Sequence, residues 1–154
     1  MIESLDLAMI VFDIEDLGRS EKRVQILADG LSTPSQGSSL VLVESPAAVH
    51  RAFDIAAHPR VQSISFGLMD FVSAHGGAIP ASGMGVAGQF SHPLVVRAKL
   101  EIASACHAHG KVPSHCVVTE FKDAQALQAA ASQAAQQLGY TRMWSIHPDQ
   151  IRPI

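Results

Sequence analysis

Five short apolar runs, rich in β-branched residues, alternate along this chain with longer stretches of helical spacing, and that alternation restricts it to parallel α/β architecture. The runs cover residues 8–12 (AMIVF), 39–43 (SLVLV), 61–66 (VQSISF), 112–118 (VPSHCVV) and 141–146 (TRMWSI). Helical spacing fills 20–31, 46–57, 93–109 and 122–138 between them. The runs do not alternate cleanly between apolar and polar side chains, as expected of strands covered on both faces. Pro46 and Pro93 fit first helical turns, and Gly110 and Gly139 fit helix ends. The βα unit recurs about every 30 residues, a rhythm shared by the (β/α)₈ barrel and the open doubly wound sheet. A dinucleotide-binding sheet needs a glycine-rich turn after its first strand, and residues 12–18 (FDIEDLG) offer none. A five-stranded flavodoxin-like sheet remains open on pattern alone.

The 154 residues suit a single domain, 1–154, and 47% hydrophobic with 16% charged residues describes a chain that folds. Eleven Lys and Arg against 14 Asp and Glu give a net charge of -3, which offers a phosphate backbone little attraction, so no nucleic-acid partner is expected. The apolar run at the start stops at Asp13, short of a signal peptide or a membrane span. No membrane association and a cytoplasmic location are therefore expected. Cys106 and Cys116 are too few for a disulfide framework or a four-ligand zinc site, and both are expected to be reduced and buried.

Chemistry is expected where strands end. Asp13, Glu15 and Asp16 follow the first run, Glu44 the second, and Gly67, Leu68, Met69 and Asp70 the third. In parallel α/β folds these ends face one rim, so carboxylates on neighbouring strands converge, and two or three of them with waters make an oxygen site suited to Mg²⁺. Glu44 and Asp70 are the metal-ligand candidates. The competing reading is that each acid merely caps the next helix or turns the chain. Residues 71–92 follow Asp70 as the longest stretch without periodicity, and glycine-freed amides there can hold a carboxylate or phosphate. Gly67, Leu68, Met69, Gly76 and Gly77 are the substrate-binding candidates.

Among eight histidines, His50, His58, His75, His92, His107 and His109 lie on helices or loops and suit surface or capping roles. His115 falls mid-strand and suits a satisfied core or rim position. His147 ends the last strand on the acidic rim and is the candidate for a catalytic role. No G-x-S-x-G elbow is present, and neither cysteine has a base beside it in sequence.

The ordered series VLVES (41–45), SFGLMD (65–70) and WSIHPDQI (144–151) resembles the citrate lyase beta subunit family, also called the HpcH/HpaI aldolase family. The resemblance spans about residues 39 to 154. It implies a (β/α)₈ barrel that binds Mg²⁺ through Glu44 and Asp70, and a lyase that cleaves or forms a carbon–carbon bond beside a carbonyl. The implied substrates are CoA thioesters such as citryl-CoA or malyl-CoA, or 2-oxo and hydroxy acids. A full barrel takes about 250 residues, so the fold expected is a partial TIM barrel of about five parallel strands with intervening helices, the C-terminal part of the family's barrel. No counterpart of the family's substrate-binding arginine is found. Such a chain is a fragment, completes its barrel with another copy, or is a non-catalytic remnant. Exposed strand edges favour a homo-oligomer.

Overall fold

The computed structural model describes residues 39–120 and 122–150. The predicted strand at 8–12, the predicted helix at 20–31 and the acids Asp13, Glu15 and Asp16 lie outside the described residues. Four parallel strands form the described sheet: β1 (Ser39–Val43), β2 (Val61–Phe66), β3 (Val112–His115) and β4 (Arg142–Met143). They lie side by side in chain order, β1-β2-β3-β4. That order never reverses, whereas a doubly wound sheet reverses at its ligand crevice. Among the described residues, therefore, the topology is that of a barrel wall.

Helices cross between the strands on one face. Pro46–His50 (α1) and Ala52–Ala57 (α2) follow β1, Leu68–Ser73 (α3) and Pro93–Ala108 (α4) follow β2, and Ala124–Leu138 (α5) follows β3. Register assigns the faces: Val41 pairs with Ile64 and Val43 with Phe66, and all four are buried in the core beneath the helices. The opposite face carries Leu42 beside Ser65 and Ser65 beside Ser114. Trp144 reaches across β3 on that face to donate from its indole Nε1 to Ser65 Oγ, 2.9 Å away. Among the described residues no helix is long and apolar enough to cross a membrane.

Four extents differ from the sequence expectation, each for a local reason. The helix predicted over 46–57 is broken at Arg51, whose φ of -102° and ψ of 13° leave the helical well. β3 stops at His115 instead of continuing to 118, because the His115 ring takes the Cys116 carbonyl at 3.0 Å and removes it from the ladder. β4 holds two residues rather than six, since the amides of Ile146 and His147 turn to the Gln150 side chain. The stretch 71–92 is partly regular: its first three residues finish α3, and 3-10 turns occupy Ala81–Met84 and Gly88–Phe90. α5 ends as predicted at Gly139, in the left-handed conformation at φ 75°, and Asp123 caps its start by accepting from two amides.

Candidate functional site

Glu44 directly follows β1 and Gly67 directly follows β2. The two positions are neighbours, because the Gly67 amide donates to the Val43 carbonyl over 2.9 Å and extends the β1–β2 ladder by one rung. Gly67 lies against the Glu44 side chain: a Cβ on it would stand 2.8 Å from Glu44 Cδ and collide with Cγ and Oε1. The missing side chain at 67 is thus the space in which the Glu44 carboxyl group rests. Three residues further on, Asp70 occupies the first turn of α3 with its side chain exposed. Both acids stand at the C-terminal ends of adjacent parallel strands, and neither is buried in the apolar core.

Neither acid caps a helix. Ser45 is the N-cap of α1, its Oγ accepting from the Ala48 amide at 3.2 Å, and the N-cap of α3 is Gly67, which makes no side-chain bond. Neither acid is thus a side-chain N-cap, although Asp70 lies in the first turn of α3, where the helix dipole favours a negative charge. Among the described residues no group of three or more His, Cys, Asp and Glu side chains is arranged to hold a metal ion.

The substrate-binding candidates divide. Leu68 sends its side chain into the core, while Met69 is 41% exposed at the rim. The Gly67 and Gly76 amides are already used, the latter donating to the Ser73 carbonyl at 3.1 Å. Gly76 and Gly77 have positive φ, 57° and 90°, with open space where a Cβ would stand, so they turn the chain at an exposed corner.

His147 lies half-buried beyond β4. Its Nδ1 accepts from the Asp149 amide at 3.2 Å and lies 3.5 Å from an Asp149 carboxylate oxygen. Gln150 fixes this segment: fully buried, it accepts from the Ile146 and His147 amides through Oε1 and donates from Nε2 to the Val118 carbonyl at 2.7 Å. Sequence reasoning treated Gln150 only as part of a signature and missed this function. The signal was present, because a glutamine three residues past a strand-end histidine can cap its own turn.

A second polar cluster was missed altogether. On α4, Lys99 is completely buried, its Nζ 2.7 Å from His115 Nε2, 3.0 Å from Gln89 Oε1 and 4.3 Å from the centre of the Phe90 ring. His115 Nδ1 must carry the ring proton, since its partner is a carbonyl, so Nε2 accepts from Lys99. Phe90 stacks on the His115 ring at 5.3 Å, the Cys116 thiol donates to Gln89 Oε1 at 3.1 Å, and the Tyr140 hydroxyl donates to the Lys99 carbonyl at 3.0 Å. Burial lowers the Lys99 ammonium to about 8, partly opposed by Cys116, and burial followed by the Lys99 charge lowers His115 to about 3. His115 is the satisfied core residue expected. His92 takes the N-cap position of α4, within the surface or capping roles expected, but its side chain makes no capping bond and its Nδ1 is buried without a partner among the described residues. The sequence signal for Lys99 was its place four residues after Val95 and three before Ile102, within the buried stripe of α4.

A parallel α/β wall whose strands run side by side in chain order defines a class of fold, the (β/α) barrel type. The chain belongs to the HpcH/HpaI aldolase/citrate lyase family, whose model matches residues 6–148. An L-malyl-CoA/beta-methylmalyl-CoA lyase of Rhodobacter capsulatus is 31% identical over 120 residues, 72% of this chain and 37% of that protein. Its namesake from Cereibacter sphaeroides is 29% identical over 162 aligned residues, 98% of this chain and 48% of that protein. Among solved structures, a citrate lyase of Burkholderia xenovorans is 54% identical, with a TM-score of 0.76 over 85% of this chain and 40% of that one. A citrate lyase beta subunit of M. tuberculosis, solved with oxaloacetate and magnesium, is 27% identical with a TM-score of 0.63 over 75% of this chain and 50% of that one. A Haloferax volcanii malate synthase, 18% identical with a TM-score of 0.67, shares the fold. The chain spans no more than about half the length of these relatives. The fold is therefore part of a (β/α) barrel.

Proposed function

We propose that this chain carries the metal half of a Mg²⁺-dependent carbon–carbon lyase site, acting on a CoA thioester or on a 2-oxo or hydroxy acid. The observation that carries the reading is the placement of Glu44 against Gly67 at the end of β1, beside the strand whose end leads to Asp70. Family membership supports the reaction type, and the magnesium and oxaloacetate bound by the M. tuberculosis relative support the ion and the class of ligand.

The residues fit the ion. Two carboxylates are hard oxygen donors, and Mg²⁺ characteristically takes one or two carboxylates and fills its remaining positions with water and substrate. Glu44 and Asp70 would hold it. The chemistry it supplies when bound is neutralisation of charge on an oxygen beside the breaking bond. The chain's own contribution is positional: the absent side chain at 67 lets Glu44 lie along the rim, and α3 fixes Asp70 one turn from the end of β2. The rim amides around Met69 and Gly77 would bind the acid's carboxylate, and His147, steadied by Gln150, would border the same rim in the catalytic role.

Isothermal calorimetry with Mg²⁺ tests the ligands: Glu44→Gln and Asp70→Asn should each abolish binding, and unchanged binding in both refutes the assignment. Lyase assays with Mg²⁺ and a panel of CoA thioesters and 2-oxo acids then test the reaction. Since β1 and β4 leave two edges among the described residues, we also propose self-association. A monodisperse monomer in light scattering would refute that.

A further inference from the structure

We propose that Lys99 is a positioning residue that latches the end of the glycine-rich stretch to the barrel wall; the part of this concerning substrate rests on the function proposed above. Lys99 joins two elements remote in sequence. Through Gln89 it holds the 3-10 turn Gly88–Phe90, and through His115 it holds the end of β3.

Each side of the latch continues toward the rim. On the loop side, the turns Ala81–Met84 and Gly88–Phe90 cross backbone to backbone, so closely that a Cβ on Gly88 would collide with the Ser82 carbonyl oxygen and lie 2.8 Å from Gly83 Cα. The first of these turns packs against α3, the helix that begins with Asp70's turn. On the strand side, the His115 carbonyl accepts from the Trp144 amide at 3.1 Å, and Trp144 leads to His147. One buried amine thus stands between the segment following one proposed metal ligand and the segment carrying the rim histidine.

Its surroundings show that the link is polar and specific. Among the described residues Lys99 meets no carboxylate: it meets the Gln89 amide oxygen, a neutral imidazole, the Phe90 ring and the neighbouring Cys116 thiol. Placing an amine in such a site is costly, and among the described residues removing it leaves Gln89 Oε1 with only the weak thiol donor and His115 Nε2 with none. An apolar residue of the same length fills the space yet cannot hold the turn.

Hydrogen exchange on the full chain reads the latch without using activity. The amides of Gln89, Phe90, Ser91 and His92 all donate within this stretch, and the Gly67 amide serves as a reference in the sheet. In Lys99→Met the four loop amides should exchange about ten- to a hundredfold faster, with the Gly67 amide unchanged. Gln89→Met cuts the same link from the loop side and should loosen the same four amides, so it decides the question should Lys99→Met not fold. If lyase activity is present, both variants should raise KM about tenfold with kcat little changed, which a general loss of stability would not produce. Loop amides as slow in the folded variants as in the unaltered chain overturn the latch. Loosened amides in a chain that neither binds Mg²⁺ nor shows lyase activity uphold the latch and refute the proposed reaction.

Discussion

Gly67 and Glu44 occupy one space at the rim: the glycine's Cα faces the glutamate side chain, and a Cβ would have to stand 2.8 Å from the carboxyl carbon. The φ of Gly67 is -91°, a value any residue adopts, so this glycine is required by its neighbour rather than by its own backbone.

Gly67→Ala should therefore act through Glu44. The added methyl forces the carboxylate out of its place, and Mg²⁺ affinity by calorimetry should fall about ten- to a hundredfold, as when the supports of metal ligands are removed. The thermal midpoint should also fall, because the half-buried Glu44 side chain has to give up its present place to make room for the methyl. Unchanged affinity would mean that Glu44 has no part in holding the ion.

Gln150→Leu should loosen the His147 segment. The side chain is fully buried and holds the Ile146 and His147 amides and the Val118 carbonyl at once. Leucine fills the volume but leaves that carbonyl without this donor, at a cost of about 1–3 kcal/mol. Urea unfolding should show that loss, and the His147 ring resonance should broaden or shift in NMR while the β1–β2 amides stay in place.

Much of this was legible in the sequence because parallel strands and their helices leave strong periodic marks. The β1 and β2 extents and the α4 span followed from the apolar runs, from Pro93 and from Gly110. The places of Glu44 just past β1 and of Asp70 in the turn that follows β2 were legible too, since both acids trail neighbouring parallel strands. What escaped were bonds made by single side chains. The early ends of β3 and β4 depend on His115 and Gln150 claiming backbone groups, and no run of apolar residues announces that. Lys99 escaped because a lysine in a helix is ordinarily counted as solvated, even when its spacing from Val95 and Ile102 puts it on the buried stripe.

Acid should weaken the fold between pH 6.5 and about 3, and the sign follows from His115. Its imidazole titrates at about 3 in the folded chain, held down by burial and then by Lys99, against 6.5 for the ordinary group. The unfolded chain therefore binds a proton in that window that the folded chain refuses, so the stability present above 6.5 is lost as pH falls toward 3. Lys99 adds a second rise with pH beginning near 8, where the folded chain releases a proton that the unfolded chain keeps to 10.5. From about pH 9 the raised thiols of Cys106 and Cys116 and the raised Tyr140 hydroxyl act in the reverse direction. Urea midpoints measured from pH 4 to 9 should rise through the His115 window and more gently above 8. In His115→Gln the acid slope should be reduced.

Both thiols should resist a disulfide reagent such as DTNB in the native chain at pH 8. Cys106 and Cys116 are buried and unpaired with each other, burial pushes Cys106 up to about 11, and burial raises Cys116 despite the opposing charge of Lys99. The reactive species is the thiolate, which is scarce in both cases and screened from the reagent. Unfolding in guanidinium should release two reactive thiols per chain. Cys116 is the sharper test, because it sits beside the one buried ammonium described in the chain. Rapid native modification there, confirmed by peptide mass, would show that Lys99 holds a thiolate as its counter-ion. The bond from the Cys116 thiol to Gln89 would then be an acceptor's contact rather than a donor's, and the amide of Gln89 would have to turn its Nε2 toward the sulfur.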